Sequence, residues 1–183
     1  MDNDITGILK QFAYYKTLGD KTLSQLSFED MQYQPNPDSN SASIIVKHVV
    51  GNMLSRWTNF LTEDGEKPWR DRDAEFEATY ISKDELWIEW EKGWQCLFDA
   101  ITPLTSADSQ RMVYIRNEGH TVQEAMMRQL AHYSYHVGQL VYIGKLIKGR
   151  DWQNLSIPKG NSHAYNQLKF EKPQERKHFT DEV

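Results

Sequence analysis

Hydrophobic residues recur at helical spacing over four long stretches of the chain. Between residues 4 and 26, Ile5, Ile8, Leu9, Phe12, Tyr15, Leu18 and Leu23 fall near one face of a 3.6-residue repeat. The run stops before "PNPDSNS", where two prolines and a cluster of Asn, Asp and Ser dictate a loop. A second helix is predicted from Ser41, a suitable N-cap, to about residue 62. Its inward stripe holds Ile44, Ile45, His48, Asn52, Ser55 and Asn59, which is unusually polar for a face turned to a core. The third opens on Ser82 and Glu85, spaced as a capping box, and presents Leu86, Trp90, Trp94, Leu97 and Ile101 before Pro103 ends it. The fourth opens on a second such box, Thr121 and Glu124, and runs to about Lys148, with Gly149 as its terminator.

Two internal stretches break this pattern. "EDGEKPWRDRDAEFEATY", residues 63–80, is charged, aperiodic and too long for a plain connector. It reads either as a functional lid or as a partly disordered segment. Alternation in "VYIRNEGHTV" predicts a small β-hairpin turning at Asn117-Glu118-Gly119. Beyond the fourth helix, "DWQNLSIPKGNSHAYNQ" reads as an ordered strap. The expected fold is therefore all-α, a four-helix bundle over residues 1–167 with a long crossover and one hairpin. A charged, flexible tail is expected over 168–183.

Composition narrows the setting. A chain of 183 residues suits one domain with a proper core, and 39% hydrophobic with 26% charged residues is a globular balance. A formal net charge of -5 without a basic cluster disfavours nucleic acid. The single cysteine, Cys96, excludes an internal disulfide framework and points to a reducing cytoplasm. "MDNDITGILKQ" does not have the form of an export signal, and no window approaches the roughly 20 apolar residues that span a bilayer. The expectation is a soluble intracellular protein.

Candidate chemistry lies in "QLAHYSYHVGQLVYIGKLI". His132 and His136 are four residues apart, on one face of a helix, and two such imidazoles can reach a shared cation. A catalytic zinc-type site needs a third protein ligand. His48, on the inward stripe of the second helix, can supply it from a facing element. The alternative is three polar residues satisfied by ordinary hydrogen bonds. "HYSYH" lacks the Glu of the H-E-x-x-H helix, which argues against a metalloprotease. By helical phase Asn52, Arg128 and Gln139 flank the histidines as substrate-pocket candidates, each equally readable as an internal hydrogen bond or salt bridge. Arg56 and Trp57 read as ties to the long loop, with Asp64, Glu66 and Asp71 as carboxylates for Arg56. The stripe Trp87, Trp90 and Trp94 reads as core or dimer surface, and Cys96 as a packed side chain.

Three stretches, "SIIVKHVVGNMLSRWTNFLTEDGEKPWRDRDAEF", "VYIRNEGHTVQEAMMRQLAHYSYHVGQLVYIGKL" and "WQNLSIPKGNS", carry a family likeness. Over roughly residues 5–167 the chain resembles the DinB/YfiT-like superfamily of metalloenzymes, and within it the DUF1572 branch. That resemblance implies an up-down-down-up four-helix bundle, often dimeric. It also implies His48, His132 and His136 as ligands of a divalent ion, commonly nickel or zinc. Thiol-S-transferases acting with low-molecular-weight thiols on small electrophiles are among the relatives, as are isomerases of small acids. The functional expectation is metal-dependent thiol transfer. The alternatives are a non-catalytic dimeric metal-binding bundle and a metal-dependent isomerase or hydrolase of a small acid.

Overall fold

A computed structural model describes residues 4–77 and 80–182. Residues 1–3 of the expected bundle, residues 78 and 79 of the 63–80 segment and Val183 of the expected tail lie outside the described residues. The chain is predominantly helical. In order it forms α1 (Asp4–Ser24), the short α2 (Phe28–Gln32), α3 (Ala42–Trp57), α4 (Lys83–Ile101), β1 (Met112–Ile115), β2 (Glu118–Thr121), α5 (Val122–Lys148) and α6 (Ser162–Phe170). No helix among the described residues is long and apolar enough to cross a membrane.

Local chemistry sets the helix ends. Ser41 Oγ accepts the Ile44 N–H at the start of α3. The helix ends at Trp57, short of the expected residue 62, because Asn59 adopts φ 48°. Asn is among the few residues that enter this left-handed region readily. Its carbonyl then accepts the N–H groups of Thr62 and Glu63 in a turn. Asn59 is consequently exposed, not inward as its spacing suggested. At α4, Ser82 Oγ accepts the Glu85 N–H as expected, but the Glu85 carboxylate takes the Ile81 N–H, one residue before the expected partner. Thr121 and Glu124 form the full reciprocal box at α5, and Gly149, at φ 54°, closes that helix.

α3 packs on α4 and α1 on α5, with further α3–α5 and α1–α4 contacts. One apolar cluster runs through all four. Its centre is aromatic: Trp90, Trp94 and Tyr133 are buried, with Trp90–Trp94 and Trp94–Tyr133 ring centroids 5.5 and 6.0 Å apart in edge-on contact. Such pairs add a modest directional term to a large burial. The stripe of α4 is thus core at Trp90 and Trp94, and Trp87 is half-buried against it.

The hairpin turns one residue earlier than expected. Ile115 pairs with Glu118, so Arg116 and Asn117 form the turn, at φ 56° and 61°, while Glu118 and Gly119 belong to β2. Positive φ at both positions is the type I′ geometry that suits the strand twist. A distant residue stabilises it: the Asp64 carboxylate accepts the N–H groups of Arg116 and Asn117, each at 2.8 Å. Gly65 N–H donates to Tyr114 O, and Ser55 Oγ donates to Gly65 O. Over its described residues the charged segment after α3 is therefore an ordered strap pinned to helix and hairpin, with a 3-10 turn at Asp73–Phe76.

α6 is largely exposed. The chain then returns to α1, where Lys10 pairs with Asp181 at 2.8 Å and the Phe179 ring meets Tyr14.

Candidate metal centre

The polar stripe of α3 faces α5, which brings His48 to the pair His132 and His136. One donor nitrogen from each ring lies within 4.8 Å of the others. His132 Nε2 stands 3.3 Å from His48 Nε2 and 3.0 Å from His136 Nε2. His48 and His136 are buried and His132 is half-buried.

The outer nitrogens determine what this cluster offers. His48 Nδ1 lies 2.8 Å from Glu75 Oε2, a carboxylate that can only accept. His136 Nδ1 lies 2.8 Å from Gln139 Oε1, an amide oxygen that also accepts. Both rings therefore carry their proton on Nδ1 and, when neutral, turn an Nε2 lone pair inward. His132 Nε2 has at most one proton to give and two lone pairs facing it. One buried acceptor is left without a donor, an unfavourable arrangement for three imidazoles alone. A divalent cation accepts all three lone pairs, so the donor set fits one. Hydrogen bonding of the outer nitrogen to a carboxylate or carbonyl is also how metal-bound histidines are usually oriented.

Glu75 is built in firmly. Arg70 donates to both of its oxygens, from Nε at 2.8 Å and from a terminal nitrogen at 3.0 Å. Burial alone would raise the Glu75 carboxyl, but the hydrogen bonds from His48 and Arg70 outweigh it and hold the group below its usual range. The strap reaches this depth because α3 carries Gly51 at the crossing, where a Cβ would collide with Glu75 Oε1. On the other side, Trp57 Nε1 donates to Tyr133 OH, which donates to Asn52 Oδ1 at 3.0 Å and fixes that amide.

Burial, reinforced by the charges of its neighbouring histidines, pushes the His132 imidazole down to about 3. Burial likewise takes His136 down to about 4, against the opposing hydrogen bond of Gln139. In the unfolded chain each would bind a proton below about 6.5. The unfolded state thus holds more protons between those values, so stability rises with pH through this window and is lost as pH falls. Metal-stripped protein is expected to melt at progressively lower temperature from pH 7 to pH 5, with a shallower decline for His132→Asn. A pH-independent melting temperature for the stripped protein would contradict this.

A cavity of about 230 Å³ opens beside the cluster, with His48, His132, Asn52 and Gln129 in its walls. Arg128 lines it as well, bonded to His120 Nε2 at 3.0 Å. Gln139 stands elsewhere. It bonds the far side of His136 and borders a separate groove with Tyr135 and Tyr142. Arg56 donates to Gly65 O and Glu66 and so ties down the strap, yet it also lines the cavity. Trp57 is a core residue, and Asp71 caps the Ala74 N–H instead of meeting Arg56. Cys96 is half-buried beside Thr58, and burial raises its thiol, which disfavours a nucleophilic role. Glu75, Arg70, Arg72 and Arg116 were not among the sequence candidates. Each lies in the aperiodic strap or the hairpin turn, where no spacing singles out one charge among many.

A family model described as a protein of unknown function, DUF1572, matches residues 3–161. No curated protein matches the chain.

Proposed function

The chain belongs to the DUF1572 family, whose description gives no activity, and on that premise we propose that it is a divalent-metal-dependent enzyme. The observation that carries the reading is the convergence of three imidazole nitrogens beside an open cavity. His48, His132 and His136 would hold the ion, zinc or nickel, with Glu75 and Gln139 orienting two of them. No fourth histidine, cysteine or carboxylate joins the cluster among the described residues, which leaves a position for an exogenous ligand. The scaffold is an up-down-down-up four-helix bundle, a reading supported by the α1–α5 and α3–α4 pairings.

An ion held there supplies Lewis acidity and can ionise a bound water or thiol near neutral pH. The chemistry best suited to such a centre is transfer of a low-molecular-weight thiol to a small electrophile. The thiol sulfur attacks the electrophilic carbon, the leaving group departs with the bonding pair, and the thiol proton passes to solvent. Asn52, held by Tyr133, and Arg128 stand in the cavity wall to orient the substrate. A second reading, isomerisation or hydrolysis of a small acid, is favoured by the arginines of the same wall.

The test is consumption of monochlorobimane with a panel of cellular thiols by zinc-loaded, nickel-loaded and chelator-stripped protein. Turnover with at least one thiol, lost on stripping and restored by the ion, is the expected result. Absence of metal-dependent turnover with every thiol would remove the transferase reading.

A further inference from the structure

The cavity wall is far more basic than the chain as a whole. In a protein of formal charge -5, five arginines and no lysine line this one space. They arrive from different elements: Arg56 from α3, Arg70 and Arg72 from the strap, Arg116 from the hairpin turn and Arg128 from α5.

Their counter-charges are few. Glu66 alone serves three, at 3.1 Å from Arg56, 3.6 Å from Arg70 and 3.0 Å from Arg116. Glu75 is shared between Arg70 and His48. The Asp64 carboxylate is occupied by backbone N–H groups of the hairpin turn and the strap. Arg128 meets the His120 ring at Nε2 rather than a carboxylate, and among the described residues Arg72 has the solvent-exposed Asp73, at 3.9 Å, as its counter-charge. Arg56 Nε is buried with no acceptor among the described residues. Guanidinium groups are planar forks that match carboxylate and phosphate oxygens in pairs, and they are held together at a cost unless an anion joins them.

We propose that this cavity is a subsite for a small dianion, a dicarboxylate or a phosphate monoester, presented by the arginines to the tri-histidine face. The proposal rests on the metal-centre reading for what the dianion is presented to. The space of about 230 Å³ has room for a diacid of a few carbons. His48 and His132 form part of the same wall, so one end of the ligand lies at the proposed ion while the other meets Arg72 and Arg128 near the mouth. The electrophile or thiol of the proposed reaction is accordingly doubly charged.

The test is calorimetric titration of succinate, butyrate, succinamide and inorganic phosphate into zinc-loaded and chelator-stripped protein, with metal content measured on the same samples. Succinate is expected to bind about tenfold or more tighter than butyrate, with succinamide weaker still. Arg72→Gln and Arg128→Gln, both at exposed positions, are each expected to weaken dianion binding about fivefold or more with metal content unchanged. Arg150→Gln, outside the cavity, should leave it unaltered. Phosphate stronger than succinate would identify a phosphoryl ligand, and the reverse a dicarboxylate; both outcomes uphold the dianion. Equal binding of succinate and succinamide, no binding of either dianion, or arginine variants that bind like the wild type would overturn it. Arginine-dependent binding by a protein that takes up no metal would instead sink the metal-centre reading and leave the anion subsite standing.

Discussion

His132→Ala protein, dialysed against zinc or nickel and then against buffer, is expected to retain less than about a tenth of the ion held by the wild-type chain. His132 Nε2 lies within 3.3 Å of both other Nε2 atoms, so its loss leaves His48 and His136 without a common third donor. Removing an outer hydrogen-bond partner of a metal ligand usually costs roughly 10–100-fold in affinity, and removing the ligand itself costs more. The fold should survive, because His132 is half-buried and Ala is favourable within a helix such as α5. Elemental analysis of the dialysed protein reads the occupancy, and far-ultraviolet circular dichroism verifies the helices. Full occupancy in the variant would refute the three-nitrogen site.

The second large effect belongs to Glu75. Its carboxylate is buried, accepts both arms of Arg70 and meets His48 Nδ1. Breaking a buried pair from one side leaves the remaining charge uncompensated, commonly at about 3–5 kcal/mol. Glu75→Ala is therefore expected to lower the unfolding free energy of the stripped protein by that order, read as a shift of the urea midpoint. Glu75→Gln keeps the volume and an acceptor but removes the charge. It should remain folded while binding the ion about 10–100-fold more weakly, as measured by competition with a chromogenic chelator. Unchanged affinity in Glu75→Gln would show that the carboxylate only ties the strap and does not tune the ligand.

Sequence and structure agree where the physics is local. The four long helices follow from 3.6-residue spacing, and the Ser41 cap and the Thr121–Glu124 box lie where their side chains can reach the first free N–H groups. The meeting of His48 with His132 and His136 was legible because inward phase on two facing helices leaves polar rings little choice but one another. The early end of α3 at the Asn59 turn is a local miss, but those at the site and its supports depend on long-range contacts. The hairpin turn sits at Arg116–Asn117 because Asp64, some fifty positions earlier, captures their N–H groups. Glu75 could not be told from Asp71, Asp73 or Glu77, because only the docked strap and the bare Cα of Gly51 decide which carboxylate goes under. The arginine wall is the extreme case. Its five residues come from four parts of the chain, and apart from Arg128 none is marked as a wall residue by spacing until the fold brings them together.

The strap after α3 does more than close a gap in the chain. It grips the hairpin through Asp64 and reaches the back of His48 through Glu75. A cation taken up by the three nitrogens would thereby be coupled to the docking of this stretch of backbone, and the coupling would be reciprocal by thermodynamic necessity. An occupant that strengthens the pull of Glu75 on His48 fastens the strap by the same free energy with which a fastened strap holds the occupant. Peptide N–H groups of a hairpin turn would in this way join one equilibrium with the imidazoles, although they touch none of them.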